Sequence, residues 1–283
     1  MKIAHLIIVH TEPKQVEQLV QKMLHEDSYF YIHVNSKVDD SGFGYLEKLP
    51  NTKLTKARVA INWAGFSFTI ALIECIREIL LSDIKYDFIN LMSGQDYPIK
   101  TNEYIHAYLA ANVGKSFFAF EEYGTQWWKA EEYRIEKYNL ADFVFKGSYY
   151  VQEFINYIMP KRKFPLPYAL YGGNCAAWWT MSVECAAYIV NFMDSNKRLK
   201  RFAKFTWGVD EFLLPTIVMN SPLKDKIIND NLRYIDWSLG GWNPKVLISE
   251  DFEKLKKSDK LLARKFHVHT SAMLLAEVNK LTG

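Results

Sequence analysis

Cysteine is scarce: Cys75, Cys175 and Cys185 are the only three in 283 residues. Three thiols cannot build a disulfide framework, and their number suits a reducing compartment. No paired Cys or Cys/His spacing of a zinc site occurs, and His267-Val268-His269 offers two imidazoles with no third ligand nearby. Neither sign of charge dominates. The 35 basic and 32 acidic residues leave a formal charge of +3, too little for the basic footprint of a nucleic-acid binder. Long apolar runs are missing too. The longest uncharged stretch, 164–183, contains Pro165, Pro167, Gly172, Gly173 and Asn174, so it does not span a membrane. The N-terminal run Ile3 to Val9 is interrupted by His5 and reaches Pro13 without a small-residue cleavage site, so it does not read as a signal peptide. A soluble, cytoplasmic chain is expected, at most peripheral to a membrane.

Several common enzyme signatures are absent as well. Val113-Gly114-Lys115-Ser116 resembles the end of a phosphate-binding loop, but Leu109 stands where the first glycine is needed. No GxGxxG follows a strand and no GxSxG elbow occurs. The 14 aspartates include no Asp-x-Asp pair of the kind that holds a divalent ion on a diphosphate. A chain lacking that pair would have to neutralise such a group with Lys and Arg.

What is present is an ordinary globular composition, 49% hydrophobic and 24% charged, with an aromatic share of 15% that suits a thick core or a cleft that stacks on rings. Residues 3–9 are apolar and β-branched, as in a buried parallel strand. A helix over 14–25, opened by Pro13, and a second strand from Tyr29 to Val34 complete a βαβ unit, which argues for an α/β sheet. Ser67 opens a deeply buried helix. Asp87 to Met92 reads as a strand, followed by a polar loop and a helix from Thr101. Residues 121–170 mix acidic pairs, aromatics and the run Lys161-Arg162-Lys163, and predict loops and short helices. A strand over Ala176–Met181 precedes a helix capped by Ser182. Asp210–Asn220 predicts a helix, Leu232–Ile235 and Lys245–Ile248 short strands, and Thr270–Leu281 a terminal helix. Without repeats or a linker, 1–283 reads as one catalytic domain.

Five segments together carry a specific signal. They are Ile8-Val9-His10-Thr11; Tyr31-Ile32-His33-Val34-Asn35-Ser36-Lys37; Asn62-Trp63-Ala64-Gly65-Phe66-Ser67; Gly208-Val209-Asp210-Glu211-Phe212; and Leu262-Ala263-Arg264-Lys265-Phe266. With the loop Ser93-Gly94-Gln95-Asp96 after a strand, where open α/β sheets bind ligands, their order resembles the Core-2/I-branching β-1,6-N-acetylglucosaminyltransferase family, which includes the peptide O-xylosyltransferases. The resemblance implies a GT-A-type α/β fold, a Rossmann-like nucleotide half fused to an acceptor half. It also implies inverting transfer from a UDP-sugar without a metal or other cofactor. Animal members are membrane-anchored and disulfide-rich; this chain looks like a bacterial-type catalytic domain alone.

The resemblance also implies roles. Glu211 is the general base that deprotonates the acceptor hydroxyl, with Asp210 positioning loop or acceptor. Lys265 stabilises the leaving diphosphate, beside Arg264, and Lys245 is the matching second cation, with Arg233 behind it. Val9, His10, Thr11 and Asn35 sit where the family binds uridine; Asn35 occupies a position that is usually Asp. His33 reads as a packed structural histidine. Gln95, Asp96, Trp237, Glu121 and Glu122 are the candidate donor- or acceptor-sugar contacts, and Arg134 lies in the same region without an assigned role. GlcNAc is the first donor expected and the acceptor is a glycan or lipid-linked glycan. UDP-xylose or another UDP-sugar is the alternative donor, and a non-catalytic sugar-nucleotide or glycan binder the alternative class. The basic run 161–163 beside Phe164 and Leu166 adds peripheral contact with the inner face of a membrane.

Overall fold

The apolar N-terminal run forms the middle of the main sheet. In the computed structural model, which describes every residue from Met1 to Gly283, twelve strands follow in order. They are β1 (Ile3–Val9), β2 (Ser28–Val34), β3 (Thr52–Leu54), β4 (Phe88–Ser93), β5 (Asp96–Pro98), β6 (Ser116–Phe118), β7 (Glu121–Glu122), β8 (Tyr171–Gly172), β9 (Trp179–Ser182), β10 (Ile227–Asn229), β11 (Arg233–Ile235) and β12 (Leu262–Arg264). Seven of them form one sheet in the order β10-β6-β9-β4-β1-β2-β3. Strands β1 to β4 run parallel, and β9 is antiparallel to both β4 and β6. A second sheet has the order β11-β12-β5. The α/β architecture is the one expected of a GT-A-type chain.

Alternation along β1 shows how the core divides. Ala4 and Leu6 point into one hydrophobic cluster, Ile3, Ile7 and Val9 into another. Strand β4 does the same with Ile89 and Leu91 against Phe88 and Met92. Both faces are therefore covered, as a parallel sheet requires. The helices Phe66–Leu80 and Val183–Ser195 cover one face. Pro13–Lys22, Asn102–Ala110 and Ala272–Thr282 cover the other. Thr101 and Ser182 cap their helices as expected, accepting from the Tyr104 and Cys185 amides.

Two expected elements are replaced. Asp210–Asn220 is not one helix: a 3₁₀ turn, Val209–Glu211, precedes a helix over Leu213–Met219. Pro215 has no N–H to donate to the Glu211 carbonyl four residues earlier, and that carbonyl accepts from the Gly173 amide instead, at 3.0 Å. Lys245–Ile248 is not a strand. Its amides make separate bonds, Lys245 to Asp236 and Leu247 to Lys265, with no ladder. The first helix ends at Lys22 rather than 25.

Candidate active site

Strand order reverses beside β1, which has β2 on one side and β4 on the other. That is the switch point at which open α/β sheets leave a crevice, and a cavity of about 300 Å³ lies there. One wall comes from the carboxyl ends of the strands: Val9 ending β1 and His10 after it, Asn35 after β2, Ser93 ending β4 and Gln95 after it. The opposite wall carries Arg134, Asp210, Glu211, Trp178, Trp237 and Arg264.

Glu211 sits on the 3₁₀ turn, held from three sides. Gly208 opens the turn at φ 58°, in the left-handed region, and a Cβ there would lie 2.3 Å from Arg134 Nη1. Gly172 packs as closely, since its Cβ would meet the Glu211 carbonyl at 2.8 Å. Arg134 Nη1 donates to Glu211 Oε2 at 2.6 Å and to the Gly208 carbonyl at 3.2 Å, while its Nε donates to Glu131 at 2.5 Å. Glu211 Oε1 has no protein partner. Burial drives the Glu211 carboxyl up; Arg134 opposes this, Asp210 adds to it, and the result is about 7. Burial also raises Asp210. Arg134 itself loses by burial but is held above its usual range by Glu211 and Glu131. A carboxylate poised near neutrality with one free oxygen in a cleft has the properties of a general base.

Arg264 forms the base of the same wall. Its guanidinium stacks 3.7 Å from the centre of the Trp178 ring. Asp96 Oδ2 lies 3.8 Å from Nη1, too far for a hydrogen bond, and Nε and Nη1 have no partner at all. Lys265 follows, half-buried and without an ion pair; burial and then Arg264 lower its pKa. Arg264 thus brings unused donors to the cavity, as an anion would need. Arg264 lines the cavity and Lys265 does not.

The other sequence candidates divide. Asn35 turns both ends of its amide to the 59–62 loop: Oδ1 accepts from the Ile61 amide, and Nδ2 donates to the Ile61 carbonyl. Thr11 is exposed beyond the cavity wall. Asp96 lies behind the wall, 1% exposed, where it accepts from the Ser93 amide and hydroxyl and faces Arg264 across the β5–β12 ladder. Trp237 lines the cavity with its indole N–H unpartnered. Glu121 and Glu122 are exposed on β7, outside the lining. Lys245 is committed elsewhere, bound to both Asp251 oxygens at 2.7 Å. Arg233 is fully enclosed, donating to the carbonyls of Leu91 and Trp179, and holds β4, β9 and β11 together. His33 is packed as expected, taking the Val59 amide on Nε2.

Some contributors carried no sequence assignment. Trp63, Trp207 and Trp242 meet edge to face at the cavity mouth, with ring centres 4.8 and 6.4 Å apart. Trp63 and Trp242 keep 63% and 66% of their surface exposed. Gln15 is buried and ties three loops together. It donates to the carbonyls of Gly94 and Phe266 and accepts from the Val268 amide. A polar residue on a helix face otherwise made of Val16, Leu19 and Val20 was the available signal.

The model of the Core-2/I-branching enzyme family matches residues 3–257. The chain belongs to that family, a family of glycosyltransferases. Xylosyltransferase 1 of Mus musculus is 23% identical over 301 aligned residues, covering 99% of this chain and 30% of that protein. Xylosyltransferase 2 of Rattus norvegicus is 25% identical, covering 94% of this chain and 32% of that protein. The chain thus spans about a third of the length of these curated relatives. Among solved structures, the apo form of mouse xyloside xylosyltransferase 1 aligns over 92% of this chain and 97% of that one, at 10% identity and a TM-score of 0.39. A likeness that loose carries no functional argument. The cavity is where the segments that carry the family resemblance converge.

Proposed function

We propose that this family member transfers a sugar from a UDP-sugar to a glycan or lipid-linked glycan hydroxyl, in one displacement with inversion and without a metal. Glu211 carries the proposal: it is the one cavity carboxylate raised to about 7 that keeps an oxygen unpartnered. Glu211 Oε1 takes the acceptor proton while the acceptor oxygen forms its bond to the anomeric carbon. The bond from that carbon to the phosphate oxygen breaks, and UDP leaves with the electron pair. Arg264 and Lys265 receive the charge that builds on the diphosphate. Uridine lies against Val9, His10 and Asn35 at the strand ends. Trp237 and the tryptophans at the mouth offer faces to the sugars, with Gln95 and Asp210 within the same cavity.

Two observations support metal independence: the sequence has no Asp-x-Asp, and no three His, Cys, Asp or Glu side chains are grouped to hold an ion. The five-motif resemblance favours GlcNAc as donor. UDP-xylose is the second reading, favoured by relatives named xylosyltransferases. We also infer a cytoplasmic location, supported by three free cysteines.

A UDP-release screen of UDP-GlcNAc, UDP-xylose and UDP-galactose, with and without glycan acceptors, tests the assignment. Release that requires both UDP-GlcNAc and acceptor, and yields a β-linked product by NMR, is expected. A purified, folded chain that binds UDP but releases none from any donor would leave the non-catalytic alternative.

A further inference from the structure

The helix Ser148–Ile158 is turned inside out. Its two amide side chains face the protein: Gln152 accepts from the Leu140 amide, and Asn156, one turn later, brackets Tyr138 through both its amide and carbonyl. No residue of the helix is buried. Tyr150, Phe154 and Tyr157, spaced i, i+4, i+7, form the outer stripe, with Tyr150 78% and Tyr157 87% exposed. Val151 and Ile158 widen it, and Val144 and Phe145 extend it at the helix start. An outward apolar stripe of this length on a helix otherwise pinned by hydrogen bonds is an interaction surface.

The charge around the stripe says what it meets. The segment 143–163 and the helix Lys197–Lys204 together hold nine of the chain's 35 basic residues and one of its 32 acidic ones, so the remainder of the molecule is net negative. The two segments are joined. Phe143 stacks on Phe205 at 5.3 Å, Lys204 lies over the Phe143 ring, and Arg162 donates to the carbonyls of Phe202, Phe205 and Lys137. Arg162 is thus a buried strut, whereas Lys161 and Lys163 on either side of it are exposed. Lys161 pairs with Glu136 and Lys200 with Asp194, whereas Lys146, Lys163, Lys197, Arg198, Arg201 and Lys204 have no acidic partner. Exposed Tyr and Phe bordered by free Lys and Arg match the composition of helices that lie in the plane of a membrane interface. No helix of the chain is long and apolar enough to cross a membrane.

We propose that the Ser148–Ile158 helix and the basic helix Lys197–Lys204 together dock the enzyme on an anionic lipid surface. The patch adjoins the cavity. Asp142, just before it, bonds the Ser67 amide and hydroxyl and the Asn62 side chain, and Asn62 and Trp63 stand at the cavity mouth. Docking would hold that mouth close to the lipid headgroups. The surface stands on its own geometry and does not depend on which sugar is transferred.

Co-sedimentation of the full chain with phosphatidylglycerol–phosphatidylcholine vesicles, against pure phosphatidylcholine, tests this. Binding to the anionic vesicles alone, weakened by salt, is expected. The variant Tyr150→Ser/Phe154→Ser/Tyr157→Ser should partition about tenfold less or worse, and Arg198→Glu/Arg201→Glu should lose the anionic preference. Both should keep the wild-type melting temperature and UDP affinity, because the altered side chains are solvent-exposed. Equal binding of the triple variant, or absence of wild-type binding, overturns the proposal. So does a concentration-dependent dimer in light scattering that the triple variant abolishes, which would assign the stripe to a second copy of the chain.

Discussion

The two walls of the cavity are made by different means. The strand-end wall is built on regular structure and carries no carboxylate, Lys or Arg: Val9, His10, Asn35, Ser93 and Gln95 end or follow β1, β2 and β4. The facing wall stands on a 3₁₀ turn, a short helix and a strand end, and it concentrates Arg134, Asp210, Glu211 and Arg264. Neutral backbone ends suit recognition of a neutral base and sugar. Charge is needed where protons and phosphates change state, and buried charge must be braced. Arg134 spans Glu131 and Glu211, and Arg264 lies between Trp178 and Asp96. On the proposed mechanism the first wall holds uridine, and the second carries the proton transfer and the contact with the diphosphate.

The sharpest way to break that division is Glu211→Gln. It keeps shape and removes basicity. The expected loss in kcat is about 10²–10⁴-fold, the scale of general-base catalysis, with UDP affinity by calorimetry nearly unchanged. More than a tenth of wild-type kcat would place the base elsewhere. Arg264→Ala and Lys265→Ala come next. Each removes a charge-assisted contact, so about 10–10² in kcat with weaker UDP binding is expected. The larger loss should fall on Arg264, which reaches the cavity wall. If neither variant moves UDP affinity, the anion is neutralised by other groups.

A smaller and more specific effect concerns Arg134. With Glu211 as the proposed base its ionised form is active, so kcat/KM should rise with pH and level off above about 7, the value to which burial brings the carboxyl. Arg134 pulls that value down. In Arg134→Gln the carboxylate loses its cationic neighbour, and the acid limb should move to higher pH. Arg134→Lys should return part of the shift, because an ammonium keeps the charge without the guanidinium fork. A purely structural Arg134 would lower activity at every pH and leave the limb in place.

The same division separates what was legible in the sequence. The continuous apolar runs of β1 and β4 and the polar caps Thr101 and Ser182 are local signals; they locate the strand ends, whereas the roles of Val9, His10 and Asn35 there come from the family resemblance. The braced wall depends on contacts between distant positions. Arg134 and Glu211 are 77 residues apart, and nothing near Arg134 distinguishes it from a surface arginine. Lys245 was the natural second cation by motif order, yet its ammonium is bound to Asp251, six residues on. The Asp210–Asn220 helix failed at Pro215, whose missing N–H releases the Glu211 carbonyl to Gly173. That departure from a regular helix puts the carboxylate of Glu211 on the cavity wall.

The smallest expected effect is none at all, and it tests the charged wall as a whole. If Arg264 and Lys265 stand in for a cation, initial velocity in excess EDTA should equal that in its absence, and added magnesium or manganese should change it by less than about twofold. A divalent ion is two charges on one centre held by oxygen ligands; a guanidinium and an ammonium are two charges on the chain itself. The two arrangements compete for one diphosphate. No three His, Cys, Asp or Glu side chains are grouped to hold an ion. Activity abolished by EDTA and restored by manganese would mean that the diphosphate recruits its own ion. Lys265→Ala and Arg264→Ala would then have to act by lost packing, and their UDP affinities should become metal-dependent. Metal-independent affinity that falls in both variants keeps the charge on the protein.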